Sequence, residues 1–128
     1  MFKLKLPIPT IKIKGKYQKL SLNLYRNAHY VLLNNAKRSY KDIVGKLLMP
    51  HRRKRHNKIK ITYTIYFATQ HRRDLSNFLS VVDKFVADCL VDYKIIPDDS
   101  FQYLPEVVYR YGGVGDDYVS VLVEDMVQ

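Results

Sequence analysis

The chain reads as an α+β domain: a small mixed β-sheet with two helices packed on one side, in the order β-α-β-α-β-β. Three observations carry that reading. Residues 59–67 alternate apolar and polar side chains with period two, as a strand with one core face requires. Residues 76–92 repeat apolar side chains at helical spacing. Strand-like runs stand at both ends of the chain, with no internal repeat and no linker, so residues 1–128 make one domain.

Residues 2–14 place Phe2, Leu4 and Leu6, then Ile11 and Ile13, against lysines, and Pro7 and Pro9 interrupt them. This is a strand in two parts, at an edge or a bulge. Residues 15–27, GKYQKLSLNLYRN, form a polar connector. Over residues 28–48, Val31, Leu32, Ala36, Tyr40, Ile43, Val44 and Leu47 fall on one helical stripe; Gly45 weakens its end and Pro50 stops it. The dense basic run HRRKRH follows at 51–56.

In the strand at 59–67, Ile59, Ile61, Tyr63, Ile65 and Phe67 share the core side. TQHRRD is a loop. In the next helix Phe78, Val81, Val82, Phe85, Val86, Cys89 and Leu90 recur at helical intervals. IIPDDSF is a turn. YLPEVVYRYGG and DDYVSVLVEDM are two strands joined by the glycine-rich GGVGDD, and they predict an antiparallel hairpin.

Lysine and arginine total 22 against 12 acids, for a net charge of +10, so a polyanion is the expected partner. No run of about 18 apolar residues occurs, and no basic amphipathic helix with a bulky apolar face, so a membrane role is not expected. One cysteine, Cys89, forbids an internal disulfide and fits an intracellular setting. The N-terminus lacks the apolar core of a secretion signal. Four histidines without ligand spacing and one cysteine argue against zinc.

Against this basic background two acidic places stand out. Asp74 ends RRD just before the second helix, where an acid ordinarily caps free backbone N–H groups. Asp98 and Asp99 follow Pro97, where Asp ordinarily serves a turn. The helix between them separates its two ends by roughly 25 Å. The acids meet only if residues 93–100 fold back along it. Together they suit a hard divalent cation, since Mg²⁺ takes one or two carboxylates and keeps several waters. His71, Arg72 and Arg73 stand where phosphates would be held.

On the helix face opposite the apolar stripe, Ser76, Ser80 and Lys84 step by four, and Asp83 lies near the same face. Lys84 is placed to meet a phosphate; its ordinary role is an i, i+4 pair with Asp88. Arg52, Arg53, Lys54 and Arg55 in the basic run suit nucleic-acid backbone contact. Asn23, Tyr25, Arg26, Asn27 and His29 put amides, a ring and cations ahead of the first helix, where capping and turn formation are the alternative use.

The segment RRDLSNFLSVVDKFVADCLVDYKIIPDD, followed by a tyrosine-containing strand and YRYGG, resembles the RusA family of Holliday-junction resolvases, especially its short phage-borne members. SLNLYRNAHY…AKRSYK is similar to that family's early Asn/Tyr/His segment and first helix, so the likeness spans roughly residues 18–125. The resemblance implies a homodimeric α+β endonuclease in the cytoplasm of a bacterial host. It implies symmetric nicking of four-way DNA junctions with Mg²⁺ or Mn²⁺, leaving 5′-phosphate and 3′-hydroxyl ends. It assigns the essential carboxylates to Asp74 and to Asp99, with Asp98 beside the latter, and calls for a catalytic lysine, a role that falls here to Lys84. Its DNA contacts fall on His71, Arg72, Arg73, Asn23, Tyr25, Arg26, Lys37 and the 51–56 run.

The chain departs from the family pattern twice. Ser76 stands where the family's second acid is expected, and Ser80 where its lysine is expected, with Lys84 one turn later. Ser76 therefore also admits a junction-binding protein that does not cut. The basic charge alone would serve an RNA-binding or structural module.

Overall fold

The computed structural model describes residues 1–52 and 55–126. It is a mixed α+β domain. Its strands are β1 (Phe2–Leu6), β2 (Thr10–Ile13), β3 (Lys16–Lys19), β4 (Ile59–Phe67), β5 (Glu106–Val114) and β6 (Tyr118–Asp125). Its helices are α1 (Leu22–Asn27), α2 (Tyr30–Leu48) and α3 (Leu75–Asp92), with a 3₁₀ turn at Met49–His51.

The main sheet has the order β1-β6-β4-β5, and β2 with β3 forms a separate two-stranded ribbon. The hairpin expected between the last two strands does not form. β4 lies between them, parallel to β5 and antiparallel to β6. The reason is α3: a helical crossover from β4 delivers the next strand parallel beside it, which leaves the other edge of β4 to β6. The GGVGDD segment crosses the end of β4. There Gly115 N–H donates to Phe67 O at 3.0 Å, and the Asp117 carboxylate accepts from Ala68 N–H at 2.8 Å.

Residues 15–27 are not a connector. β3 escapes the alternation test because its own residues are largely exposed, while its partner β2 buries Ile11, so polar residues serve β3. Lys14 and Gly15 turn the β2–β3 hairpin with φ of 50° and 79°, the left-handed pair that a two-residue loop needs. Ser21 then caps α1, its hydroxyl accepting from Leu24 N–H at 3.2 Å.

In α2 the buried residues are Ala36, Tyr40, Val44, Gly45 and Leu48, whereas Val31, Ile43 and Leu47 stay exposed. The core ridge is thus displaced from the expected stripe. Gly45 does not weaken the helix end; it is where Tyr93 packs, and a Cβ there would collide with the tyrosine ring. The Tyr40 hydroxyl donates to Pro7 O at 2.8 Å, tying α2 to the link after β1.

β4 is the centre of the core, with Ile59, Ile61, Tyr63 and Ile65 wholly buried on its helix side and half-exposed residues on the other. The Phe85 ring of α3 lies 5.7 Å from that of Tyr40 and 6.3 Å from that of Tyr25, joining all three helices over the sheet. Among the described residues no helix is long and apolar enough to cross a membrane.

Candidate nucleic-acid and metal site along α3

α3 carries most of the expected site, at two levels. At its N-terminal end Asp74 occupies the cap position in extended backbone, but its carboxylate makes no capping bond and is exposed. The ordinary use of an acid at this place is therefore not realised. In the loop before it, the Arg73 guanidinium lies 4.3 Å from the Phe67 ring centroid and donates to Thr69 O at 3.2 Å and Thr69 Oγ1 at 3.0 Å. Arg73 thus holds the loop in shape, while His71 and Arg72 remain exposed. With Phe67, Gln70, Leu75 and Tyr111 these residues line an open cleft of about 500 Å³.

The second level lies nine residues further along, at Asp83. Its two carboxylate oxygens accept from Tyr63 Oη at 2.8 Å and Tyr109 Oη at 3.3 Å. Burial raises the Asp83 pKa, the tyrosine bonds and Lys84 pull it down, and the charge of Asp99 pushes it up again. Burial and the facing carboxylate in turn hold Tyr109 up at about 12 and Tyr63 well above its usual value. Both hydroxyls therefore remain donors at neutral pH.

The chain after α3 turns back, which brings Asp99 near enough for its charge to act on Asp83. Ile95 N–H donates to Leu90 O, His56 N–H to Ile95 O, and Ile59 N–H to Tyr103 O, each at 2.9 Å. Ile95 and Ile96 are buried beneath the returning loop. Asp98 has the plainer role, its carboxylate accepting Asp99 N–H at 2.8 Å within the turn.

Lys84 is exposed, with its Nζ 5.7 Å from the Tyr25 ring centroid. The expected pair with Asp88 is not formed: Asp88 meets Lys37 of α2 at 3.5 Å, and Asp92 meets Lys41 at 2.9 Å. Lys37 is accordingly a brace between α2 and α3. Of the expected residues, Lys84 lies near the Tyr25 ring, and the charges of Lys84 and Asp99 both act on Asp83.

Asp74 stands about 13 Å along the helix axis from Asp83. Among the described residues no three of Asp, Glu, His or Cys gather into a group that could hold a metal ion. Asp74, Asp98 and Asp99 thus do not form one three-carboxylate cage. Mg²⁺ makes a smaller demand, one or two carboxylates with waters and substrate phosphate, and Asp83 and Asp99 are two carboxylates near enough for one charge to act on the other.

Asp83 had a sequence signal that the face argument missed. Leu79, Val86 and Leu90 are buried, and Asp83 stands on their ridge at steps of four, three and four. An acid at a core position needs partners, and the two tyrosines are those partners.

The remaining expected contacts are dispersed. His51 stacks on Phe2 with ring centroids 4.1 Å apart, and His56 is buried against Asp125, so both histidines of the basic run are anchors. Arg52 reaches Met49 Sδ at 3.6 Å, and Arg55 is exposed. Arg53 and Lys54 lie outside the described residues. Asn23 and Arg26 are exposed on α1, where the Asn27 side chain donates to Asn23 O at 2.8 Å. His29 caps α2, its Nδ1 accepting from Val31 N–H at 3.2 Å. The Ser80 hydroxyl donates back to Ser76 O. No protein-family model and no curated protein matches the chain.

Proposed function

We propose that this chain is a metal-dependent, structure-specific DNA endonuclease that resolves four-way junctions by paired symmetric nicks. It acts as a homodimer of RusA-like subunits in a bacterial host's cytoplasm. The observation that carries the reading is the return of the loop after α3, which brings Asp99 near enough for its charge to act on Asp83, the neighbour of Lys84 in the chain. A nuclease needs that mixture of acid and base, and a chain of net charge +10 has no electrostatic reason to gather acids otherwise.

In this reading Arg72, Arg52 and Arg55 draw in the junction phosphates, and Arg73 holds the loop that presents Arg72. Asp83, oriented by Tyr63 and Tyr109, and Asp99 hold the cation. Asp74 is the further carboxylate that the family resemblance assigns to the site. Mg²⁺ or Mn²⁺ bound there polarises a phosphodiester and makes a water nucleophilic. Lys84 neutralises charge growing on the phosphate oxygens.

A second reading is a junction-binding protein without cleavage. Ser76 in place of an acid favours it, as does the lack of a three-donor group among the described residues. The deciding experiment is an end-labelled synthetic four-way junction incubated in Mg²⁺, Mn²⁺ or EDTA. Paired nicks that need metal support the nuclease. Tight junction binding without nicks supports the second reading. Equal affinity for junction and linear duplex at fixed salt would remove both.

A further inference from the structure

The two edges of the main sheet are built differently. β1 is short and sets Lys3 and Lys5 outward, a device that discourages pairing with another chain. β5, at the opposite edge, has nine residues with no lysine and no proline, and leaves Val107, Tyr111 and Val114 exposed. Such an edge offers an unpaired row of backbone donors and acceptors.

We propose that two copies of the chain join edge to edge through β5, antiparallel, about a two-fold axis at Val108. The charge pattern selects this register. Antiparallel pairing about a two-fold keeps each residue on its own face, so opposed positions have the same parity. With Val108 opposite its own copy, Glu106 of each chain faces Arg110 of the other, giving two opposite-charge pairs on the open face of the sheet. Moving the axis to Arg110 would set arginine against arginine, and moving it to Tyr109 would leave Glu106 opposite a glycine. Among the described residues Glu106 pairs with Lys60 of its own chain, at 3.6 Å, in a largely exposed pair of little weight.

In this register residues 106–110 of the two copies pair, and the result is one continuous eight-stranded sheet, with the Asp83–Tyr109 site of each copy on the same face. The need for a dimer rests on the junction-cutting reading; the geometry rests on the sheet edge alone.

The test combines sedimentation of the full chain, without DNA, and cysteine cross-linking. The wild type is expected to be dimeric at micromolar concentration. Glu106→Arg and Arg110→Glu each introduce two like-charge contacts and should weaken the dimer on the order of tenfold; the double exchange should restore it. Val108→Cys should give an intermolecular disulfide on mild oxidation, because the two positions coincide at the axis. Arg110→Cys should not, since its two copies stand four residues apart, about 13 Å. The only native cysteine, Cys89, is buried. A monomeric wild type, single exchanges without effect, or equal cross-linking at both positions would overturn the interface. If the dimer forms as described and the junction assay fails, the nuclease reading falls and the interface stands.

Discussion

The two levels of α3 treat their acids in opposite ways. At the N-terminal end Asp74 has solvent around it and no capping bond. In the middle Asp83 is largely buried, clasped by two tyrosine hydroxyls, with its pKa raised by desolvation. An exposed carboxylate binds a cation only as well as its neighbours allow. A clasped one is already oriented and partly stripped of water, which strengthens every charge it meets. The lesson is that position in a motif does not rank acids; their surroundings do.

The largest effect tests which level does the chemistry. Under the nuclease reading, Asp99→Asn and Asp74→Asn each lose cutting by more than about a hundredfold while junction binding is kept or tightened. Asp83→Asn should lose as much if the middle of α3 holds the cation. Normal cutting by Asp83→Asn beside a dead Asp74→Asn would move the chemistry to the helix end. Normal cutting by both Asp74→Asn and Asp99→Asn would remove the site assignment altogether. Rates from single-turnover junction cleavage decide among these.

A smaller effect concerns the clasp. Tyr63→Phe removes a donor from a buried acid and should destabilise the fold by about 1–3 kcal/mol. Tyr109→Phe should cost less, since its bond is longer and its side chain less enclosed. Denaturant unfolding at neutral pH measures both; equal and negligible losses would mean that the clasp carries no weight.

Smaller still is a pH-dependent difference. The folded Asp83 holds its proton more tightly than an ordinary carboxyl at 3.8, because burial disfavours its charge. The stability this contributes is complete below 3.8 and is lost as pH rises through the raised folded value. Asp83→Asn escapes that loss while its amide oxygen can still accept from a tyrosine. The variant should therefore match the wild type in acid and exceed it at neutral pH, in unfolding curves followed across that window. A variant less stable at neutral pH would show that the tyrosine bonds outweigh the burial.

The smallest expected change is Ser76→Asp. A carboxylate in the first turn of α3 should add a few tenths of a kcal/mol through the helix dipole. Its effect on cutting sharpens the comparison: faster cleavage at low Mg²⁺ would locate the cation near Asp74, and an unchanged metal dependence would leave it at Asp83.

Much of the fold was legible because burial leaves a period. Ile59, Ile61, Tyr63, Ile65 and Phe67 marked β4, and the apolar spacing from Phe78 to Leu90 marked α3. β3 and α1 were not legible, since solvated residues on a ribbon or a six-residue helix need no apolar alternation. The strand order was misread because GGVGDD looks like a hairpin turn, whereas its backbone bonds carry it across the end of β4. At the candidate site, Asp99 and Lys84 were singled out from the sequence, and the charges of both act on Asp83. The central position of Asp83 was hidden, because a helical wheel says which residues share a ridge and not what that ridge meets.

The sequence by itself determined a basic chain with a small α+β core, a strong strand, a strong amphipathic helix and acids at each end of that helix. Composition and periodicity suffice for those, since they are local or additive properties of the residues. Tertiary structure alone decided that β4 separates β5 from β6, that Lys37 takes Asp88, and that the charge of Asp99 acts on Asp83 in the middle of α3. The last of those depends on where the loop after α3 must travel to bury Ile95 and Ile96, and that path is set by the whole packed core at once.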